Sequence, residues 1–228
     1  MLDFKLTAPL SPSVISTLII VSVLALIFII VGIRVNKLDP AKTPKGLVLL
    51  SVLIVDFFTK FLSDYMTGKR LKFFGPYLFT IIIFLLFANT SSLFGLNPPL
   101  ANIGIALSFS VMTFIMIKVA EFKYQGLKNK LSGLIGPVKP LAPIMIPINL
   151  IGEVSTPFSM GLRLFVNLMS GTVIAAMVYT GINAVLGWVG SIFAGVLLHA
   201  VFDIFFGMIQ AFVFFMLSTV NISMASEA

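Results

Sequence analysis

The sequence predicts an all-α integral membrane protein with about five transmembrane helices and one interfacial amphipathic helix. Three observations lead to this prediction. The chain of 228 residues is 59% hydrophobic and only 10% charged, which is too apolar for a soluble domain. Several charge-free runs reach the roughly 20 residues that a helix needs to cross a bilayer. Basic residues cluster after alternate runs, as they do in cytoplasmic loops.

The N-terminal third supplies the first span and the amphipathic helix. Residues 14–33 carry no charge and are followed by four basic residues, so we predict an outer N-terminus over residues 1–13 and span one over 14–33. Residues 34–72 form a predicted cytoplasmic segment. Within it, residues 47–66 form a helix with one polar stripe, which favours a position along the interface or packed there against other spans; the stripe consists of Asp56, Lys60 and Asp64.

The remaining spans follow from the longer apolar stretches. Residues 73–117 carry no charge, and Asn and Pro residues interrupt them in the middle, which predicts a turn. A polar, basic loop follows, after which apolar sequence continues almost to the C-terminus. We therefore expect one membrane domain over residues 1–228, with its further segments as follows: span two over 73–96, span three over 103–120, a cytoplasmic loop over 121–140, a long helix over 141–180, a turn near 181–190, and a long C-terminal helix over 188–224. The last two helices exceed a single span, so we expect them to be tilted.

The distribution of charge predicts the orientation. Eight basic residues fall in the first predicted cytoplasmic segment, and five fall at the second when Lys118 at the end of span three is included, out of 15 in the chain. The positive-inside rule then places the N-terminus outside and the C-terminus in the cytoplasm. This arrangement accounts for the net charge of +7 without a nucleic-acid partner. The absence of cysteine excludes disulfides and thiolate metal sites.

Arg163 is the clearest candidate for a functional residue, because it lies within an otherwise apolar helix. A charged side chain near the middle of a span costs on the order of 3 kcal/mol and is seldom present without a role. Arginine stays protonated, so it serves as a fixed positive charge that attracts a carboxylate and repels cations. The alternative is a structural ion pair with an internal acid such as Asp203.

A second set of polar residues lies on the last span. His199, Asp203 and Gln210 fall within about 40° of one another on a helix and form a stripe about 16 Å long. Asp and His exchange protons readily, so this stripe suits a proton path. Alternatively, Gln210 only hydrogen-bonds a neighbouring helix and His199 lies near the outer interface.

The preceding helix carries a matching stripe. Arg163, Asn167 and Ser170 are spaced four and three residues apart and therefore share one face, with Thr172 beside them. Small residues nearby, including Gly171, allow a partner helix to approach closely. We expect the two helices to form an antiparallel hairpin.

The hairpin predicts the depth of each polar residue. If Arg163 is level with Gln210, Asp203 lies about 10 Å and Thr172 about 13 Å toward the outside. Glu153 lies about 15 Å toward the cytoplasm. A carboxylate on each side of one arginine is the layout expected of two offset half-channels. Glu153 is alternatively an interfacial acid at a helix end, with no part in transport.

Other kinds of site find no support. The sequence contains no HExxH motif, phosphate-binding loop or nucleophile elbow, so we expect no metal or other cofactor. Residues 89–92 are polar, and hydrogen bonding between helices is sufficient to explain them. A secondary transporter with an Arg–Asp coupling pair is the main alternative, although the sequence shows no internal repeat. A membrane enzyme is a third alternative.

Residues 159–167, SMGLRLFVN, resemble the arginine motif of subunit a of F-type ATP synthases. Residues 210–214 and 223–227 are similar to the C-terminal signature of the same family. Two departures stand out: the family usually has glycine at the position of Val166, and bacterial members commonly have glutamate at the position of Thr172.

The resemblance implies a fixed, non-catalytic subunit that binds no nucleotide and faces a rotating ring of c subunits, with a b-subunit stalk as a further partner. It also implies that Arg163 makes each arriving c-subunit carboxylate release its ion, that Gln210 helps to position Arg163, and that Asp203 is the relay in the outer half-channel. The ion is expected to be a proton, with sodium left open. The expected location is a bacterial plasma membrane, in contact with lipid.

Overall fold

The computed structural model describes residues 11–37, 46–126 and 142–226, and these are helical apart from short turns. The helices are α1 (Pro12–Asn36), α2 (Leu47–Ser63), α3 (Lys69–Thr90), α4 (Ile103–Ala120), α5 (Ala142–His199) and α6 (Gly207–Ser226). Two 3-10 turns, Ser91–Phe94 and Pro99–Ala101, follow α3, and two π-helical segments, Glu121–Gln125 and Ala200–Phe206, follow α4 and α5. The predicted all-α fold is confirmed.

Five of the described helices are long and apolar enough to cross a membrane, which confirms the predicted number of spans. They are Pro12–Asn36, Lys69–Phe94, Ile103–Gln125, Ile144–Val185 and Ala200–Ser226. Parts of the predicted outer N-terminus, first cytoplasmic segment and second cytoplasmic loop lie outside the described residues.

Helix α2 is amphipathic and is not one of the five spans. Its polar stripe contains an exposed ion pair, with Lys60 Nζ 2.8 Å from Asp56 Oδ2. The hydrogen bond to Asp56, together with its charge, raises the pKa of Lys60. Val48 and Leu62 of α2 are buried in the protein. Helix α2 therefore has one polar face and one face held against the bundle, as expected for an interfacial helix.

The core lies between α1, α3, α4, α5 and α6. Leu85 of α3, Ala106 of α4, Leu164 of α5 and Ala211 of α6 are each almost completely buried in it. Because Leu164 points into this core, the adjacent Arg163 must project elsewhere on α5. The packing of one apolar residue thus fixes the direction of the charged one.

Helix α5 approaches α4 closely at Gly161. A Cβ atom at this position would lie 2.9 Å from Leu107 Cδ2 and 3.2 Å from Leu107 Cα. The buried Ser110 hydroxyl of α4 also donates a hydrogen bond to the Pro157 carbonyl of α5. Two contacts one turn apart therefore hold the part of α5 that carries Arg163.

Substituting Gly161 with alanine is expected to destabilise the protein by about 1–3 kcal/mol, because the added methyl group overpacks the interface between α4 and α5. Thermal unfolding of the purified chain would measure the change. Gly152→Ala is the matched control, since Gly152 lies in the same helix with nothing within 4 Å of its Cβ position. The control should be neutral or stabilising; equal stability of the two variants would contradict the predicted close contact.

The chain reverses direction at Gly187, whose φ of 66° and ψ of −161° interrupt the helical conformation of α5. Only glycine adopts such angles without strain. After the reversal the two arms pack together: a Cβ at Gly195 would lie 2.7 Å from the Tyr179 hydroxyl, and one at Gly171 would lie 3.4 Å from Phe202 Cδ1. The arms thus form an antiparallel hairpin.

Candidate functional site

Arg163 lies on the free face of α5 and is exposed. It lines an open groove of about 440 Å³ together with Ser155, Phe158, Ser159, Leu162 and Val166. It makes no ion pair or hydrogen bond within the described part of the chain. In particular, Arg163 forms no ion pair with Asp203 in the structure. Such a pair was required by the alternative in which Arg163 is purely structural. The guanidinium group is therefore open to a partner that approaches from the side of α5.

Gln210 lies at about the level of Arg163. Phe202 packs on Gly171, so these two residues lie at the same level of the hairpin. Arg163 lies eight residues before Gly171, and Gln210 lies eight residues after Phe202. Because the two arms run antiparallel, Arg163 and Gln210 are displaced in the same direction by about the same distance. The Gln210 side chain is only 8% exposed. Its Nε2 atom is buried without a hydrogen-bond partner in the described ranges. The site thus combines an exposed cation and a buried amide at one depth.

Asp203 lies in a cavity between the hairpin and the end of α3. Its Oδ2 atom accepts a hydrogen bond of 2.6 Å from the Ser92 hydroxyl. The cavity has a volume of about 100 Å³, and Asn167 and Thr172 also line it. Three of the predicted site residues, Asn167, Thr172 and Asp203, therefore line one cavity, whose walls are otherwise mostly apolar.

The π-helical segment that carries Asp203 is held by α3 at a second point. Asn89 is 1% exposed, and its Nδ2 donates a hydrogen bond of 2.8 Å to the Gly207 carbonyl, at the end of this segment. Gly207 allows the contact, because a Cβ there would lie 2.9 Å from Asn89 Cβ. Asn89 and Ser92 are three residues apart and lie on the same side of the chain. Asn89 bonds to Gly207, and Ser92 bonds to Asp203.

Glu153 lies in a different cavity, between α4, α5 and α6. Its Oε2 atom is 2.7 Å from Lys118 Nζ, and Lys118 also pairs with Glu121 at 3.0 Å. All three side chains are less than 30% exposed, at 17% for Lys118, 16% for Glu121 and 28% for Glu153. The cavity has a volume of about 270 Å³, and Asn221 and Thr156 also line it. Glu153 is thus part of a charged cluster that joins α4 to α5.

Sequence reasoning missed two of these partners. Ser92 belongs to a polar run that was assigned only to contacts between helices; the contact exists, but the acceptor is Asp203. Lys118 was counted only as a cytoplasmic charge, although it pairs with Glu153. The position of this lysine at the end of an apolar helix was the feature of the sequence that could have indicated an ion pair with an acidic residue of another helix. The His199 side chain lies outside the described part of the chain.

Residues 14–223 match the family model described as ATP synthase A chain. The chain belongs to this family. With five candidate spans among the described helices, it is a multi-pass membrane protein.

Individual members of the ATP synthase A chain family are moderately similar to it. ATP synthase subunit a of Chlorobium phaeobacteroides is 31% identical over 218 residues, covering 92% of this chain and 63% of the relative. ATP synthase subunit a 2 of Chlorobaculum tepidum is 30% identical, covering 86% and 57%. ATP synthase subunit a of Mycoplasma pneumoniae is 29% identical, covering 92% and 78%. The chain spans about three fifths of the length of the relatives from Chlorobium phaeobacteroides and Chlorobaculum tepidum.

Proposed function

We propose that this chain is the ion-translocating stator subunit of a rotary ATP synthase, non-catalytic itself, in which Arg163 separates two half-channels that lead to the carboxylates of a c-ring. The observation that carries the proposal is the exposed Arg163 guanidinium, which has no ion pair or hydrogen bond within the described ranges. The transported ion is proposed to be a proton.

An exposed arginine on an apolar helix face requires an anionic partner. Leaving the charge against lipid costs on the order of 3 kcal/mol, and a carboxylate on a neighbouring subunit removes much of that cost. Arginine does not lose its proton, so it cannot carry one past this point. It favours the ionised form of a carboxylate that stops beside it, and it repels cations that would otherwise leak between the half-channels.

The outer half-channel is proposed to run through the cavity around Asp203. A volume of about 100 Å³ has room for several waters. Asn167 provides a polar group between Asp203 and the level of Arg163, and Thr172 provides one on the outer side of Asp203. Asp203 is the group in this cavity that can take up and release a proton, so we assign it the role of relay.

The inner half-channel is proposed to start from the cavity beside Glu153. This cavity of about 270 Å³ is lined by Lys118, Glu121 and Glu153. Glu153 is ten residues from Arg163, which corresponds to about 15 Å along α5. The ion pair with Lys118 supports a structural role as well, since it connects two spans. Charged walls keep such a cavity hydrated, which a path for ions requires.

The alternative of a self-contained transporter needs an internal Arg–Asp pair as its coupling site. The geometry does not favour it, because Asp203 accepts a hydrogen bond from Ser92 and Arg163 has no polar partner among the described residues. We therefore propose the stator function in preference to the transporter. The proposed partners are the c-ring, a b-subunit stalk and lipid. The proposed location is a bacterial plasma membrane, with the N-terminus outside.

A crosslinking experiment tests the proposed partner. The chain has no cysteine, so Ser159→Cys places one thiol in the groove beside Arg163. A short maleimide–diazirine reagent on this thiol should capture the c subunit in native membranes. Ile29→Cys is the matched control, because Ile29 is 62% exposed on α1, away from this groove. Capture of the c subunit from position 29 and not from 159 would refute the assignment of this face.

A further inference from the structure

A second, larger groove lies between α2 and α3, away from all the residues assigned above. It has a volume of about 580 Å³ and almost entirely apolar walls, including Val55, Phe58 and Leu62 of α2 and Leu71 and Phe79 of α3. Gly75 leaves part of the wall open, because a Cβ there would touch only Leu71 Cδ1, at 3.6 Å. The groove is thus shaped for a chain-like apolar ligand.

One end of this groove carries the positive charge of Lys72. Lys72 lines the groove, is exposed, and makes no ion pair, hydrogen bond or ring contact in the described part of the chain. Its neighbour Arg70 lies over the Tyr124 ring, and Lys123 lies over Phe73. The first turn of α3 contains no acidic residue. An anion is therefore the group that best complements this end of the groove.

The backbone of Lys72 adds a hydrogen-bond acceptor. Pro76 lies inside α3 and has no N–H to donate to the Lys72 carbonyl one turn earlier. This carbonyl lacks its regular helical partner, and the ammonium group of the same residue has no partner among the described residues. A ligand that presents both an anionic oxygen and a hydroxyl group satisfies both atoms of Lys72.

We propose that this groove binds an anionic glycerophospholipid of the surrounding bilayer, with its phosphate at Lys72 and one acyl chain between α2 and α3. A headgroup with a free hydroxyl, as in phosphatidylglycerol, fits the carbonyl acceptor. The amphipathic α2 supports this placement, since such helices lie where headgroups meet acyl chains. The inference rests on the membrane location of the chain and is independent of the proposed ion path.

Photolabelling of the protein, purified from its native membrane with its bound subunits, tests the proposal. The probes are phosphatidylglycerol and phosphatidylcholine, each with a diazirine in the acyl chain, in nanodiscs. Phosphatidylglycerol should label Phe58, Leu62 and Phe79 preferentially. Lys72→Gln should lower this labelling about fivefold, the loss expected for one lysine at an anionic lipid surface, and Gly75→Phe should remove it by filling the groove.

Lys69→Gln is the matched control, because Lys69 is an exposed lysine one turn earlier that does not line the groove. It should label like the unmodified protein. Three results would overturn the proposal: equal labelling by the two lipids, full labelling of Lys72→Gln, or crosslinks from the groove to another subunit in place of lipid. The last result would make a protein helix the occupant.

Discussion

Replacing Arg163 with alanine is expected to abolish ATP-driven ion pumping in membrane vesicles while leaving the complex assembled. An opposite charge within about 4–6 Å favours the ionised form of a carboxylate by about 10- to 1,000-fold. Without it, a c-subunit carboxylate beside α5 would keep its ion and the ring would not complete a step. Passive ion leak should rise, because the fixed charge no longer separates the two cavities.

The comparison variants for this experiment are Arg163→Lys and Arg34→Ala. Lysine keeps a charge but can lose its proton and lacks the planar fork of donors, so we expect pumping to stay strongly impaired. Arg34 lies in the last turn of α1, outside the proposed path, and its removal should have little effect. Normal pumping by an assembled Arg163→Ala complex would show that Arg163 is structural and would remove the basis of the proposed function.

Replacing Asp203 with asparagine is expected to slow ion-driven ATP synthesis by at least about tenfold, since loss of a positioned proton-transfer group typically costs 100-fold or more. Asparagine is similar in shape and can still accept the hydrogen bond from Ser92 that the carboxylate accepts at 2.6 Å. The fold of the π-helical segment should therefore survive. The initial rate of synthesis after an imposed pH step measures the effect.

Two further variants separate proton relay from structure at Asp203. Asp203→Glu should recover part of the rate, because it restores an ionisable group. Ser92→Ala removes the hydrogen bond but keeps the carboxylate, so its effect should be much smaller than that of Asp203→Asn. Wild-type rates for Asp203→Asn across the full pH range would exclude this residue from the relay.

The sequence was sufficient to predict the spans, because crossing a bilayer depends on a local property. A run of about 20 apolar residues is stable in lipid wherever it lies in the chain. The amphipathic helix was predictable for the same reason, since Asp56, Lys60 and Asp64 recur at four-residue spacing and define its polar face. The reversal at Gly187 falls inside the range 181–190 that the glycines and Asn183 had indicated.

The partners of the site residues were harder to predict, because they depend on how one helix is rotated against another. The residues that flank Ser92 and Asp203 in the sequence do not indicate that these two side chains form a hydrogen bond, since 111 residues separate them. The same is true of Lys118 and Glu153. Arg163 was found because a single charge in an apolar helix is conspicuous by itself, whereas an ion pair between two helices requires the three-dimensional packing.

The π-helical segment Ala200–Phe206 has a consequence for which changes this protein tolerates. A π-helical turn holds one residue more than an α-helical turn of the same height, so the segment acts like an inserted residue within a continuous helix. Removing one residue within the segment would restore a regular α-helical turn and leave the helices on either side of it in register. Removing a residue from α6 between Gly207 and Gln210 would instead turn Gln210 by about 100° and take it out of the protein interior. The π-helical segment is therefore the stretch of this helix that best accommodates a change in length.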